Sequence, residues 1–141
     1  MTQTDLLLRN NQSYAASFDK ADLPAPPARK VAVVTCMDAR LDPARALGLE
    51  EGDAHVIRNA GGVVTEDALR SLAISQDALG TEEVMLIQHT DCRALAVAGE
   101  ELDRSVREAI EEVRASPSLP HRESVRGFVY EVETGRLREV G

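Results

Sequence analysis

Two short aliphatic runs, each breaking off into residues that carry chemistry, constrain this chain more than any other feature. Val31-Ala32-Val33-Val34 is followed by Thr35, Cys36, Asp38 and Arg40. Val84-Met85-Leu86-Ile87 is followed by Gln88-His89-Thr90-Asp91-Cys92. A continuous apolar run of this length suits an inner strand of a parallel sheet, where both faces are covered. In open α/β sheets ligands bind beyond the carboxyl ends of the strands, which is where Cys36 and His89 fall. If the two strands are parallel neighbours, Cys36, His89 and Cys92 converge at one edge.

The order of elements along the chain supports that fold. Met1 to Asp19 reads as a helix, with Asp5 in its first turn and Leu6, Leu7, Tyr14 and Phe18 on one apolar face. Leu23-Pro24-Ala25-Pro26-Pro27 forbids helix and reads as an extended linker, so residues 1–27 form an arm set off from the body. After the first strand, Asp42-Pro43 opens a short helix that Gly48 closes. Ala54 to Ile57 is a further strand, and Gly61-Gly62 after it allows close backbone approach or positive φ. Thr65-Glu66-Asp67 starts a helix with apolar positions at Ala68, Leu69, Leu72, Ala73 and Leu79, ended by Gly80. Glu100 to Ala115 is another, its stripe formed by Leu102, Val106, Ile110 and Val113 and its opposite face solvated. Ser124 to Glu131 and Arg136 to Val140 read as strands joined at Glu133-Thr134-Gly135. The expected class is α/β, with a mostly parallel sheet flanked by helices, the N-terminal helical arm and a C-terminal antiparallel edge strand.

The 141 residues suit one domain over 1–141 and can bury roughly two-thirds of the unfolded surface. No disulfide is needed to fold it. A formal net charge of −8 argues against nucleic acid or an anionic membrane as partner. No apolar run approaches the ~20 residues of a membrane span, and no secretory signal is evident, so a cytoplasmic location is expected. Reducing conditions there favour free or metal-bound thiols.

Cys36, His89 and Cys92 are thiolate and imidazole donors of the kind that hold zinc. Three protein ligands leave one position open, as in catalytic sites. Two thiolates neutralise Zn2+, which can lower the pKa of a bound water to about 7. Asp38 has two possible jobs: to accept a hydrogen bond from that water, or to swing onto zinc as a fourth ligand and shut the site. Arg40, able to fork a carboxylate, biases the choice toward the first. Asp91 reads as a loop or capping residue. His55 and His121 lack ligand-like neighbours and read as packing or surface residues. Gly61-Gly62 lacks the Lys-Ser or Lys-Thr of a phosphate loop.

The segments Cys36-Met37-Asp38-Ala39-Arg40-Leu41-Asp42, Arg58-Asn59-Ala60-Gly61-Gly62 and His89-Thr90-Asp91-Cys92 resemble those of β-class carbonic anhydrases. The likeness is strongest from Lys30 to Cys92 and resumes at Arg126-Gly127-Phe128. It implies a parallel sheet flanked by helices, zinc on Cys36, His89 and Cys92, and Asp38 and Arg40 as the catalytic dyad. Zinc hydroxide would attack CO2 to give bicarbonate. It further implies a homodimer with clefts at the subunit interface, open to assembly into a higher oligomer, with the N-terminal arm clasping the partner. Two features depart from the family pattern. Arg93 stands where Gly usually follows the second Cys, and can plug the channel, pair with bicarbonate or point away. The stretch from Cys92 to the Glu100–Ala115 helix is also shorter than in small bacterial members.

Three readings follow. The first is reversible CO2 hydration, with Leu41, Val63 and Val64 as the wall of an apolar pocket. The second is hydrolysis of carbonyl sulfide or carbon disulfide. The third is a zinc-binding scaffold or sensor without effective catalysis.

Overall fold

Nine elements make up the computed structural model, which describes residues 1–141. In order they are α1 (Gln3–Ala16), β1 (Val31–Cys36), α2 (Pro43–Leu47), β2 (Ala54–Asn59), α3 (Glu66–Asp77), β3 (Glu83–His89), α4 (Glu100–Arg114), β4 (Val125–Glu131) and β5 (Arg136–Val140). The five strands form one sheet in the order β2-β1-β3-β4-β5. The first four are parallel, and β5 pairs antiparallel with β4. The expected α/β class is therefore the observed one.

The chain leaves β1 in one direction to reach β2 and returns across it to β3. The strand order thus reverses between β1 and β3, and a crevice opens beyond their carboxyl ends. Their register pairs Val34 with Leu86 and Thr35 with Ile87. This pairing brings Cys36 and His89 within one residue of each other along the strand direction.

Both faces of β1 are buried, which is why its sequence runs apolar without alternation. Ala32, Val34, Leu86 and Val129 pack on Leu72 of α3 and on Leu102, Val106, Ile110 and Val113 of α4. On the other face Val33 and Ile87 pack against Leu41, with Leu47 of α2, Met85 and Phe128 beside them. Gly127 is required where α4 crosses β4, because a Cβ there would overlap Val106 and Ile110.

Local signals act as expected. Asp42 caps α2, accepting from Ala44 N at 3.1 Å, and Gly48 ends it at φ 68°. Thr65 caps α3 through Ala68 N. That helix stops at Asp77, so Leu79 lies beyond it; its buried face instead includes Ser75 and Gln76. These two polar residues are satisfied: Ser75 bonds His55 Nδ1 and Thr81, and the Gln76 amide bonds the main chain of His121. His55 is thus a half-buried packing residue, and His121 is an exposed residue bonded only through its main chain.

The N-terminal helix forms, with a capping box between Thr2 and Asp5, but it ends at Ala16, so Phe18 lies beyond it. None of its residues is buried. Leu7 and Leu8 are 63% and 60% exposed, and Tyr14 and Phe18 are half exposed. Tyr14 donates to Glu51, tying the arm to the body beside β2.

Candidate metal centre

Cys36 ends β1, His89 ends β3, and Cys92 lies three residues on, in the turn beyond. Their Sγ, ring nitrogen and Sγ atoms lie within 4.8 Å of one another. All three residues are buried, at 3%, 0% and 4% exposure. The two sulfurs are 4.0 Å apart. Two zinc–sulfur bonds of ~2.3 Å at a tetrahedral angle place sulfurs about 3.8 Å apart, so the pair fits that ion. His89 Nδ1 bonds the carbonyl of Thr90 at 2.7 Å, which orients the ring and leaves Nε2 toward the sulfurs. Nε2 is buried with no hydrogen-bond partner. A buried polar nitrogen without a partner is costly, and a cation accepted there removes the cost. The donor set and its geometry therefore fit a zinc ion.

The glycine loop closes over Cys36. Gly61 N–H donates to Cys36 Sγ at 3.3 Å. Gly61 and Gly62 take φ 94° and 66°. A Cβ at Gly62 would lie 2.8 Å from Ile87 O and 2.9 Å from Cys36 N. Both uses expected of the paired glycines, close approach and positive φ, are realised. Asn59 holds the loop shut by exchanging two hydrogen bonds with the main chain of Val63.

Asp38 and Arg40 form a forked ion pair. Arg40 Nε reaches Asp38 Oδ1 at 3.0 Å and an outer guanidinium nitrogen reaches Oδ2 at 2.7 Å. The Arg40 main-chain N–H adds a third bond to Oδ1 at 2.8 Å. These bonds, led by the guanidinium, hold the Asp38 carboxyl well below the usual carboxylate range. Arg40 is pushed higher in turn. Asp38 Oδ2 lies 3.7 Å from His89 Nε2, at the edge of the donor cluster.

Arg58 shapes this loop, a role that its residue type alone does not announce in the sequence. Its guanidinium donates to the carbonyls of Cys36, Asp38 and Leu41 at 2.7–2.8 Å. Its place in the Arg58–Gly62 segment was the available signal. Asp91 is more than a loop residue. Its carboxylate accepts from Arg40 at 2.9 Å and from Arg93 at 3.5 Å. The two arginines hold it below its ordinary range, Arg40 contributing most.

A cleft of about 460 Å3 opens over the site, lined by Cys36, Met37, Asp38, Arg40, Cys92 and Arg93 among others. Leu41 is not part of its wall. The turn after Asp38 sends Leu41 to the opposite face of the sheet, against Val33 and Ile87. Val64 packs on the main core, and Val63 is absent from the cleft lining. The apolar lining comes from Met37, Ala39 and Ala94 instead. The Arg93 side chain is 84% exposed and lies at the mouth of the cleft with its tip on Asp91.

A mostly parallel sheet with two thiols and an imidazole at its switch point, and a carboxylate–guanidinium pair beside them, defines an α/β class with a candidate metal site. The family model described as carbonic anhydrase matches residues 31–126. Beta-carbonic anhydrase 1 of Mycobacterium tuberculosis is 47% identical over 162 aligned positions, covering 99% of each chain. That alignment is longer than this chain, so part of the relative has no counterpart here. A carbon disulfide hydrolase of Acidianus is 31% identical over 96% of this chain and 87% of its own. The crystal structure of carbonic anhydrase from Streptococcus mutans superposes with a TM-score of 0.89 at 43% identity, covering 100% and 99% of the two chains. The chain belongs to the β-carbonic anhydrase family.

Proposed function

We propose that this chain is a zinc-dependent carbonic anhydrase, converting CO2 and water reversibly to bicarbonate and a proton. The observation that carries this reading is the placement of Asp38, held ionised by Arg40, beside two buried thiols and a buried imidazole. Cys36, His89 and Cys92 would hold the zinc, which supplies a Lewis acid able to make water nucleophilic near neutral pH. An ionised Asp38 can only accept hydrogen bonds. It therefore selects an O–H group at the metal side of the cleft: water in one direction, the hydroxyl of bicarbonate in the other. Arg40 fixes that acceptor in place through its fork. Met37, Ala39 and Ala94 give the small apolar substrate a surface without competing hydrogen bonds.

A second reading, hydrolysis of carbon disulfide or carbonyl sulfide, draws on the relatives named as carbon disulfide hydrolases. The same carboxylate and donor set would serve both. Stopped-flow CO2 hydration on zinc-loaded protein, with carbon disulfide assayed beside it, separates them. The first reading expects one zinc per chain and CO2 turnover far above buffer. Buffer-level rates with both substrates would leave the zinc-binding scaffold.

The assembly follows the family pattern in this proposal: a homodimer, open to higher assembly, in which α1 lies on the partner. The uncovered Leu7, Leu8 and Phe18 support it. No helix is long and apolar enough to cross a membrane. We place the protein in the cytoplasm, where its two free thiols stay reduced and able to take metal.

A further inference from the structure

Asp38 faces the donor cluster with one edge, but its position is decided on the far side of Arg40. The guanidinium of Arg40 is gripped from two directions. Asp38 takes Nε and one outer nitrogen. Asp91 takes the remaining edge twice, through Oδ2 at 2.9 Å and through its main-chain carbonyl at 2.9 Å. The carbonyl reaches Arg40 because Asp91 adopts φ 51°, the left-handed region that few residues other than Gly, Asn and Asp enter cheaply. Arg93 shares the same Asp91 oxygen at 3.5 Å. The result is a linear relay, Arg93–Asp91–Arg40–Asp38, that ends at the donor cluster.

Asp38 can reach a metal on Cys36, His89 and Cys92 only by leaving Arg40 or by carrying Arg40 with it. Asp91 blocks the second course, because it anchors the guanidinium to the turn that joins two of the donors, His89 and Cys92. Arg93 opposes Asp91 by drawing its carboxylate outward toward solvent.

We infer that Asp91 and Arg93 are positioning residues acting in opposite senses: Asp91 keeps Asp38 off the metal through Arg40, and Arg93 weakens that hold. This inference rests on the zinc reading above. It predicts effects opposite in sign to those of charge alone. Removing the negative charge of Asp91 should by simple electrostatics favour an anion at the metal, whereas loss of its grip lets Asp38 occupy the open position and disfavours one. For Arg93 both signs reverse.

The test uses full-length protein loaded with cobalt(II), whose thiolate-to-metal and visible absorption report the ligand set. Thiocyanate is titrated as an anion that needs the open position. Asp91→Asn, which tolerates the left-handed backbone, is expected to weaken thiocyanate binding roughly tenfold. Arg93→Ala is expected to strengthen it by roughly two- to threefold. The double variant should match Asp91→Asn, since Arg93 acts only through Asp91. CO2 hydration by the zinc forms should follow the same order. Thiocyanate affinity that is unchanged in Asp91→Asn, or shifts in the charge-only directions, overturns the inference while leaving the metal site standing. Wild-type protein without thiolate-to-cobalt absorption would sink the zinc reading, and the inference with it.

Discussion

Gly62 lies directly against the main chain of Cys36: a Cβ on it would come within 2.9 Å of the Cys36 nitrogen. The first donor to the metal centre is thus held by a glycine from a different strand connection. Gly62→Ala has no room to relax, because the atoms it meets are backbone, and it adds left-handed strain at φ 66°. It should cost more than about 2 kcal/mol in urea unfolding and lower the zinc content. Gly48→Ala is the control. It has φ 68° but nothing within 4 Å of the new Cβ, so only the strain remains, about 1 kcal/mol.

Metal retention and activity should separate by residue. Cys92→Ala removes one of three donors and should leave the purified protein with little zinc, read by atomic absorption. Asp38→Ala removes no donor of the cluster. It should keep a full equivalent of zinc and lose about 100-fold or more in CO2 hydration rate. A full zinc equivalent in Cys92→Ala would refute the ligand assignment.

Acid stability should depend in part on Asp53, far from the site. Its Oδ2 accepts from Glu50 N at 2.9 Å and from Arg29 Nε at 3.1 Å. These bonds, the main-chain one foremost, lower its pKa in the folded protein below the ordinary 3.8. A carboxyl lowered on folding contributes stability that is complete above its unfolded value and is lost as pH falls through the folded one. Asp53→Asn should therefore melt below wild type at pH 7. The two melting temperatures should converge as the pH drops below about 4.

The exposed arm gives a test of assembly. Leu7 and Leu8 make no buried contact within the chain, so Leu7→Glu and Leu8→Glu together should leave the melting temperature of an isolated protomer unchanged. If α1 seats on a second copy, light scattering should show the wild-type dimer and the variant as monomer.

Much of this architecture is local information. The unbroken aliphatic runs of β1 and β3 announce strands covered on both faces. Asp42, Pro43 and Gly48 bound α2 by their own backbone preferences, and the stripe of α4 announces its buried side. The three metal-donor candidates are legible because each stands at or just beyond a strand end, and they meet once β1 and β3 pair as parallel neighbours. The pocket wall was not legible. Leu41 looks like a lining residue by its nearness to Cys36, but Arg58, seventeen positions beyond it, pulls the intervening carbonyls around and turns it to the other face.

Asp91 marks the boundary most clearly. Its type and position between His89 and Cys92 are consistent with many loop roles. Only the left-handed turn after β3, closing onto the loop after β1, puts both its carboxylate and its carbonyl on Arg40. The sequence by itself determined the elements, their order and the kinds of atoms available at the strand ends, because these follow from periodicity and local backbone preference. Tertiary structure alone decided which charged groups meet across separate loops. That choice depends on turn geometry and strand register, and neither is written in any one stretch of the chain.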